Sequence, residues 1–72
     1  MKLQEVVSSN ISKVGYLPTK GLIVEYKSGN TYAYKDVPYE IYTKMLESES
    51  KGRFMNENIK GKYKYSKLEE VL

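Results

Sequence analysis

Leu22-Ile23-Val24-Glu25-Tyr26-Lys27-Ser28-Gly29-Asn30-Thr31-Tyr32-Ala33-Tyr34-Lys35 places two β-branched and aromatic runs on either side of a Ser-Gly-Asn turn. That arrangement is a hairpin signal. The parity of the loop sets which side chains share a face. A two-residue loop would pair even positions with odd ones and put Val24 beside Ala33 or Lys35. A three-residue loop, a type I turn closed by Gly29 in the left-handed region, pairs even with even. Leu22, Val24, Tyr26, Tyr32 and Tyr34 then share one face, and Ile23, Glu25, Lys27, Ala33 and Lys35 share the other. The second register separates apolar from charged side chains far better, so it is the one expected.

Outward from the hairpin, residues 11–17 alternate Ile11, Lys13, Gly15 and Leu17 with Ser12, Val14 and Tyr16, a further strand. Leu17-Pro18-Thr19-Lys20-Gly21 reads as the turn into Leu22. On the other side, Val37-Pro38 opens a helix with Pro38 at its first position. Ile41, Tyr42, Met45 and Leu46 recur at helical spacing, so this helix lies on the sheet. Ser48-Glu49-Ser50 interrupts it. Ser50 caps a second helix carrying Phe54, Met55 and Ile59 on one stripe, and Gly61 ends that helix. Lys62-Tyr63-Lys64-Tyr65 alternates like a short edge strand, and Ser66 to Leu72 reads as a frayed or short helix. The expected fold is α+β: one domain over residues 1–72, a three-stranded antiparallel meander extendable by a fourth edge strand, and two short helices on one face.

Composition removes most enzyme classes. The chain has 72 residues, no Cys and no His. A chain of this size buries only about 60% of the surface its unfolded form exposes, so a deep multi-substrate cleft is not expected. Without Cys there is no thiol nucleophile, disulfide or thiolate metal site, and without His the commonest general base and metal ligand are missing. No Ser–Lys or carboxylate pair has a catalytic spacing. No enzyme activity, metal or cofactor is expected. No run approaches the ~20 apolar residues of a membrane span, and Met1 to Val7 lacks a signal-peptide core. A cytoplasmic protein follows.

The net charge of +3 is unevenly placed. Residues 1–50 hold six Lys and six acidic residues. Residues 51–67 hold Lys51, Arg53, Lys60, Lys62, Lys64 and Lys67 against Glu57 alone, a local +5. Such a cluster attracts phosphates if its members share a face, and is otherwise a solvated lysine-rich edge. Three motifs bear on that choice. Ser50-Lys51-Gly52-Arg53 joins a helix cap, a glycine permitting close approach, and two cations, which together suit an anion; it equally fits an ordinary capped helix. Tyr32 and Tyr34, with Tyr26, are spaced to stack bases on a sheet face, or to fill the core with hydroxyls at its rim. Lys60, Lys62 and Lys64 interleave with Tyr63 and Tyr65, a pattern suited to a nucleic-acid backbone or to a packed edge strand. Asn10 and Asn56 could bond a base edge or a loop backbone.

The order of Ser8-Ser9-Asn10-Ile11, Val14-Gly15-Tyr16, Leu22-x-Val24-Glu25-Tyr26, Ser28-Gly29, Tyr32-x-Tyr34, Val37-Pro38, Tyr42, Ser50-Lys51-Gly52, Phe54-x-Asn56, Ile59 and Gly61-Lys62-Tyr63 resembles the KTSC domain. That family is named from the C-terminus of some lysyl-tRNA synthetases and also stands alone in bacteria and phages. The likeness runs over about residues 8 to 65. It implies a small module of a family with no established activity, for which RNA binding is suggested by the synthetase fusion, in a bacterial cell or phage-infected host. The expected function is non-catalytic binding of a phosphate-bearing ligand, RNA or another nucleic acid. Lys51, Arg53, Lys60, Lys62 and Lys64 would contact phosphates, and Tyr63 or Tyr65 would stack. The alternatives are an oligomeric phage-type protein that sequesters a nucleotide signal, and a module that binds or inhibits a protein partner.

Overall fold

The computed structural model describes residues 3–68. Five strands form one antiparallel meander in the order β1 (Gln4–Glu5), β2 (Ile11–Leu17), β3 (Gly21–Tyr26), β4 (Thr31–Tyr34), β5 (Tyr65–Leu68). Helix α1 (Tyr39–Glu47) follows β4. Helix α2 (Lys51–Phe54) continues into a π turn over Met55–Ile59. The α+β class and the two helical units hold, and the sheet is larger than the expected three or four strands. β1 escapes a sequence reading because two polar, exposed residues carry no alternation.

The hairpin register is the even-with-even one. Leu22 faces Tyr34 and Val24 faces Tyr32. Gly29 takes φ +101° and its N–H donates to the Tyr26 carbonyl at 2.9 Å, closing the three-residue loop. Leu22, Val24 and Tyr34 join Ile11, Val14, Val37, Met45, Met55 and Ile59 in the core, with Tyr26 and Tyr32 packed against it. Ile11 and Val14 are both buried although opposite parity would put them on opposite faces; a register shift between Ile11 and Lys13 carries Ile11 to the core side. A bulge does this by placing two residues against one.

The opposite face is less polar than its charged positions suggest. Ile23 is fully buried and Ala33 is 4% exposed. They lie in one row with Gly15 and Ser66 across the central strands. Ile23 on β3 is flanked by β2 and β4, and β5 gives Ala33 on β4 a second neighbour that a three-stranded meander would not provide.

Pro38 is the N-cap of α1, one residue outside the helix. Met45 is the buried anchor of that helix, which packs over β2 and β3. Ser50 caps α2, its hydroxyl accepting from the Arg53 N–H at 3.4 Å. The chain then widens: the Lys60 N–H bonds the Met55 carbonyl, five residues back, at 2.8 Å, and the Asn58 side chain donates to the Phe54 carbonyl at 3.3 Å. Gly61, at φ +82°, ends the turn, as its C-terminal place in the second helix implies.

Two expectations fail at the C-terminal side. Residues 62–64 are not an edge strand, because the Lys62 and Tyr63 N–H groups both turn back onto the Ile59 carbonyl, at 3.1 and 3.2 Å. The strand begins three residues later, at Tyr65, and Ser66 to Leu68 is its continuation rather than a helix. The rest of that predicted helix lies outside the described residues. None of the helices among the described residues is long and apolar enough to cross a membrane.

Candidate nucleic-acid interface

Helix α1 covers the β2–β3 half of the core face. At the other end Tyr34 pairs with Tyr65, and Tyr32 pairs with Lys67. Paired residues share a face, so Tyr32, Tyr34, Tyr65 and Lys67 all lie on the side of the core. Tyr26, one strand over, closes the group. The rings meet edge to face or tilted: Tyr26 with Tyr32 at 5.7 Å, Tyr32 with Tyr65 at 5.5 Å, and Tyr34 with Tyr65 at 5.6 Å between centroids. These are favourable aromatic geometries.

With Lys60 and Gly61 these rings line a cleft of about 370 Å³. The Lys60 ammonium sits 5.5 Å from the centre of the Tyr26 ring, within cation–π range. The Tyr26 and Tyr34 hydroxyls are 2.9 Å apart. Burial pushes the Tyr34 hydroxyl well above its ordinary value of 10.0, and the bond to Tyr26 adds to that. Burial also raises Tyr26, partly offset by the same bond. Tyr65 stands at the mouth, 63% exposed.

The candidates divide accordingly. Tyr32, Tyr34, Tyr65 and Lys60 converge on the cleft. Tyr34 is 4% exposed, so it is part of the wall and not a displayed stacking surface. Lys62 and Lys64 are exposed beside the cleft, on the turn leading into β5. They do not alternate with Tyr63 and Tyr65 on an extended strand; Tyr63 packs against the core and Tyr65 enters the sheet. Lys67, counted in the basic cluster but expected in a tail helix, pairs instead with Tyr32 on β5 and so lies on the same face as the cleft tyrosines. Its spacing of two from Tyr65 was the available signal.

The Ser50 motif lies elsewhere and is tied into the fold. Lys51 is half-buried, and its ammonium donates to the Ser48 carbonyl at the end of α1, at 2.6 Å. That bond engages the ammonium expected to contact a phosphate. Arg53 is exposed but paired with Glu57 at 3.1 Å. Gly52 lies under the side chain of Asn10. Asn10 itself belongs to a loop held by Ser8, whose hydroxyl accepts from the Asn10 and Ile11 N–H groups at 3.4 and 3.3 Å. Asn56 is exposed on the π turn, and the described residues contain no group of three or more His, Cys, Asp or Glu side chains that could hold a metal.

The same frame occurs in known proteins. A KTSC domain protein from Yersinia pestis has a crystal structure that superposes with a TM-score of 0.86 at 36% identity, covering 94% of this chain and 97% of that one. A protein of Stutzerimonas stutzeri is 35% identical over 71 residues, 96% of this chain and 100% of its own length. A lysine–tRNA ligase of Trichormus variabilis is 38% identical over 50 residues, 69% of this chain but 9% of the ligase. The family match spans residues 7–63, from the loop before Asn10 through the helical pair to the Gly61 turn, and the chain belongs to the KTSC domain family.

Proposed function

We propose that this chain is a non-catalytic module that binds single-stranded nucleic acid, RNA foremost, across the tyrosine-lined end of its sheet. The observation that carries the reading is Tyr65, a largely exposed ring on the strand that also bears Lys67, at the mouth of a cleft bordered by Lys60. Exposed rings on a sheet stack unpaired bases, each contributing about 1–3 kcal/mol. Lys60, Lys62, Lys64 and Lys67 supply positive charge around that ring. Among the described residues the ion pair is Arg53 with Glu57, and these four lysines pair with no described carboxylate. Lysine–tRNA ligases of Trichormus variabilis and Nostoc punctiforme contain a similar segment, and their substrate is an RNA by name. That supports RNA as the polymer.

The test is a titration of single-stranded RNA over a salt series. Four neutralised phosphates give a log–log slope of about −3. Changing Lys60, Lys62, Lys64 and Lys67 together to Gln should flatten it towards zero. Absence of binding at low salt overturns the reading. A mononucleotide that binds where the polymer does not would replace it with nucleotide sequestration, and binding of neither would point to a protein partner.

A further inference from the structure

This inference rests on the nucleic-acid reading above and specifies which bases the cleft accepts. The Tyr26 and Tyr34 hydroxyls are hydrogen-bonded to each other at 2.9 Å, and either can be the donor. Both side chains line the cleft beside Tyr65. A hydroxyl has one proton and two lone pairs. The tyrosine that donates to its neighbour has committed its proton and can offer only a lone pair outward. The tyrosine that accepts keeps its own proton free to donate outward. The pair therefore presents one donor and one acceptor side by side. Reversing the inner bond exchanges them without moving a heavy atom. Burial keeps the Tyr34 hydroxyl protonated far into the alkaline range, so the proton that makes this exchange work is retained.

Base edges are built in the same way. Adenine and cytosine carry an amino donor beside a ring-nitrogen acceptor. Guanine and uracil carry a carbonyl acceptor beside an N–H donor. One polarity of the hydroxyl pair fits the first two, and the reversed polarity fits the others. We propose that the Tyr26–Tyr34 hydroxyl pair reads the Watson–Crick edge of one unpaired base in either polarity, with the base seated against Tyr65, so that the cleft takes single strands without regard to sequence. A duplex is rejected because its edges are already paired.

Uracil and cytosine decide the matter, having the same ring size and opposite edges. Oligouridylate and oligocytidylate of equal length should bind, by fluorescence anisotropy, within about threefold of each other, where a site fixed in one polarity discriminates by about tenfold or more. An oligomer of N3-methyluridine keeps the ring and charge but lacks the edge donor, and should bind about tenfold more weakly than oligouridylate. Tyr26→Phe breaks the pair and should shrink that methylation penalty; Tyr34→Phe serves if the first variant does not fold. A uracil–cytosine difference above about tenfold overturns the reversible pair. So does equal binding of the methylated and unmethylated oligomers, since the edge would then not be read. In both cases the nucleic-acid reading survives. If none of the three oligomers binds, that reading falls, and this inference with it.

Discussion

The carboxamide oxygen of Asn10 lies 2.9 Å from the point a Cβ would occupy on Gly52. Two motifs 42 residues apart thus meet, and each restricts the other. Asn10 sits in a loop organised by Ser8, and its carbonyl accepts from the Lys27 N–H at 2.9 Å, so the loop is also tied to the β3–β4 turn. Gly52 in the first turn of α2 is the space that lets this loop close onto the helix.

A double-mutant cycle should detect that relationship. Gly52→Ala gains up to about 1 kcal/mol of helix propensity and loses a similar amount by displacing Asn10. The single change is expected to be near neutral. In an Asn10→Ala background the clash is gone, and the same change should stabilise by about 0.5–1 kcal/mol. Urea denaturation of the four chains reads the coupling, and strict additivity would contradict the contact.

Gly21 should tolerate nothing larger. It adopts φ +91°, and an added Cβ would overlap the Tyr34 carbonyl oxygen, a backbone atom that cannot swing aside. Gly21→Ala should cost about 2 kcal/mol or more. Gly29 has φ +101° with open space around it, so Gly29→Ala should cost only about 1 kcal/mol. Comparison of the two melting temperatures separates backbone overlap from φ strain.

Stability should fall at alkaline pH through the tyrosine pair. Tyr34 and Tyr26 both hold their protons more tightly in the fold than the ordinary value of 10.0. The folded chain then binds more protons than the unfolded one above about pH 10, and unfolding becomes easier as pH rises. Below the unfolded value the contribution is complete; it is lost as pH climbs towards the folded one. The slope should approach about 1.4 kcal/mol per pH unit for each tyrosine ionised only in the unfolded chain. Urea titrations from about pH 8 to about pH 11 measure it, and Tyr34→Phe should flatten the curve.

Lys51 and Arg53 should prove separable from ligand binding. Lys51→Gln removes a charged donor from the carboxyl end of α1 and should cost about 0.5–1 kcal/mol. Arg53→Gln removes an exposed pair with Glu57 and should change stability by less than about 0.5 kcal/mol. RNA affinity should fall only slightly in the double variant, through its general loss of positive charge. A loss as large as that of the Lys60, Lys62, Lys64 and Lys67 variant would return the phosphate site to the Ser50 motif.

Much of the architecture was fixed by local chemistry. The alternation in 22–26 and 31–34, with Gly29 between them, admits one register that hides the apolar side chains, and that is the register formed. Ser50 and Gly61 bracket the second helical unit because one side chain can cap a helix start and the other residue can take positive φ. The charge run from Lys60 to Lys67 was visible by counting. Tertiary structure decided the rest. Lys62 to Lys64 alternates as a strand would, yet the Ile59 carbonyl captures two N–H groups and delays the strand to Tyr65. That delay puts Tyr65 opposite Tyr34 and Lys67 opposite Tyr32, and so creates the cleft. Gly52 and Lys51 looked like ligand groups because their types suit an anion; their partners, Asn10 and the Ser48 carbonyl, come from distant chain or a helix end that periodicity does not orient. Sequence specifies which residue types can bond, bury or bend. Which of them meet depends on where a strand starts and how it registers against its neighbour, and here the start at Tyr65 sets Tyr65 and Lys67 against Tyr34 and Tyr32.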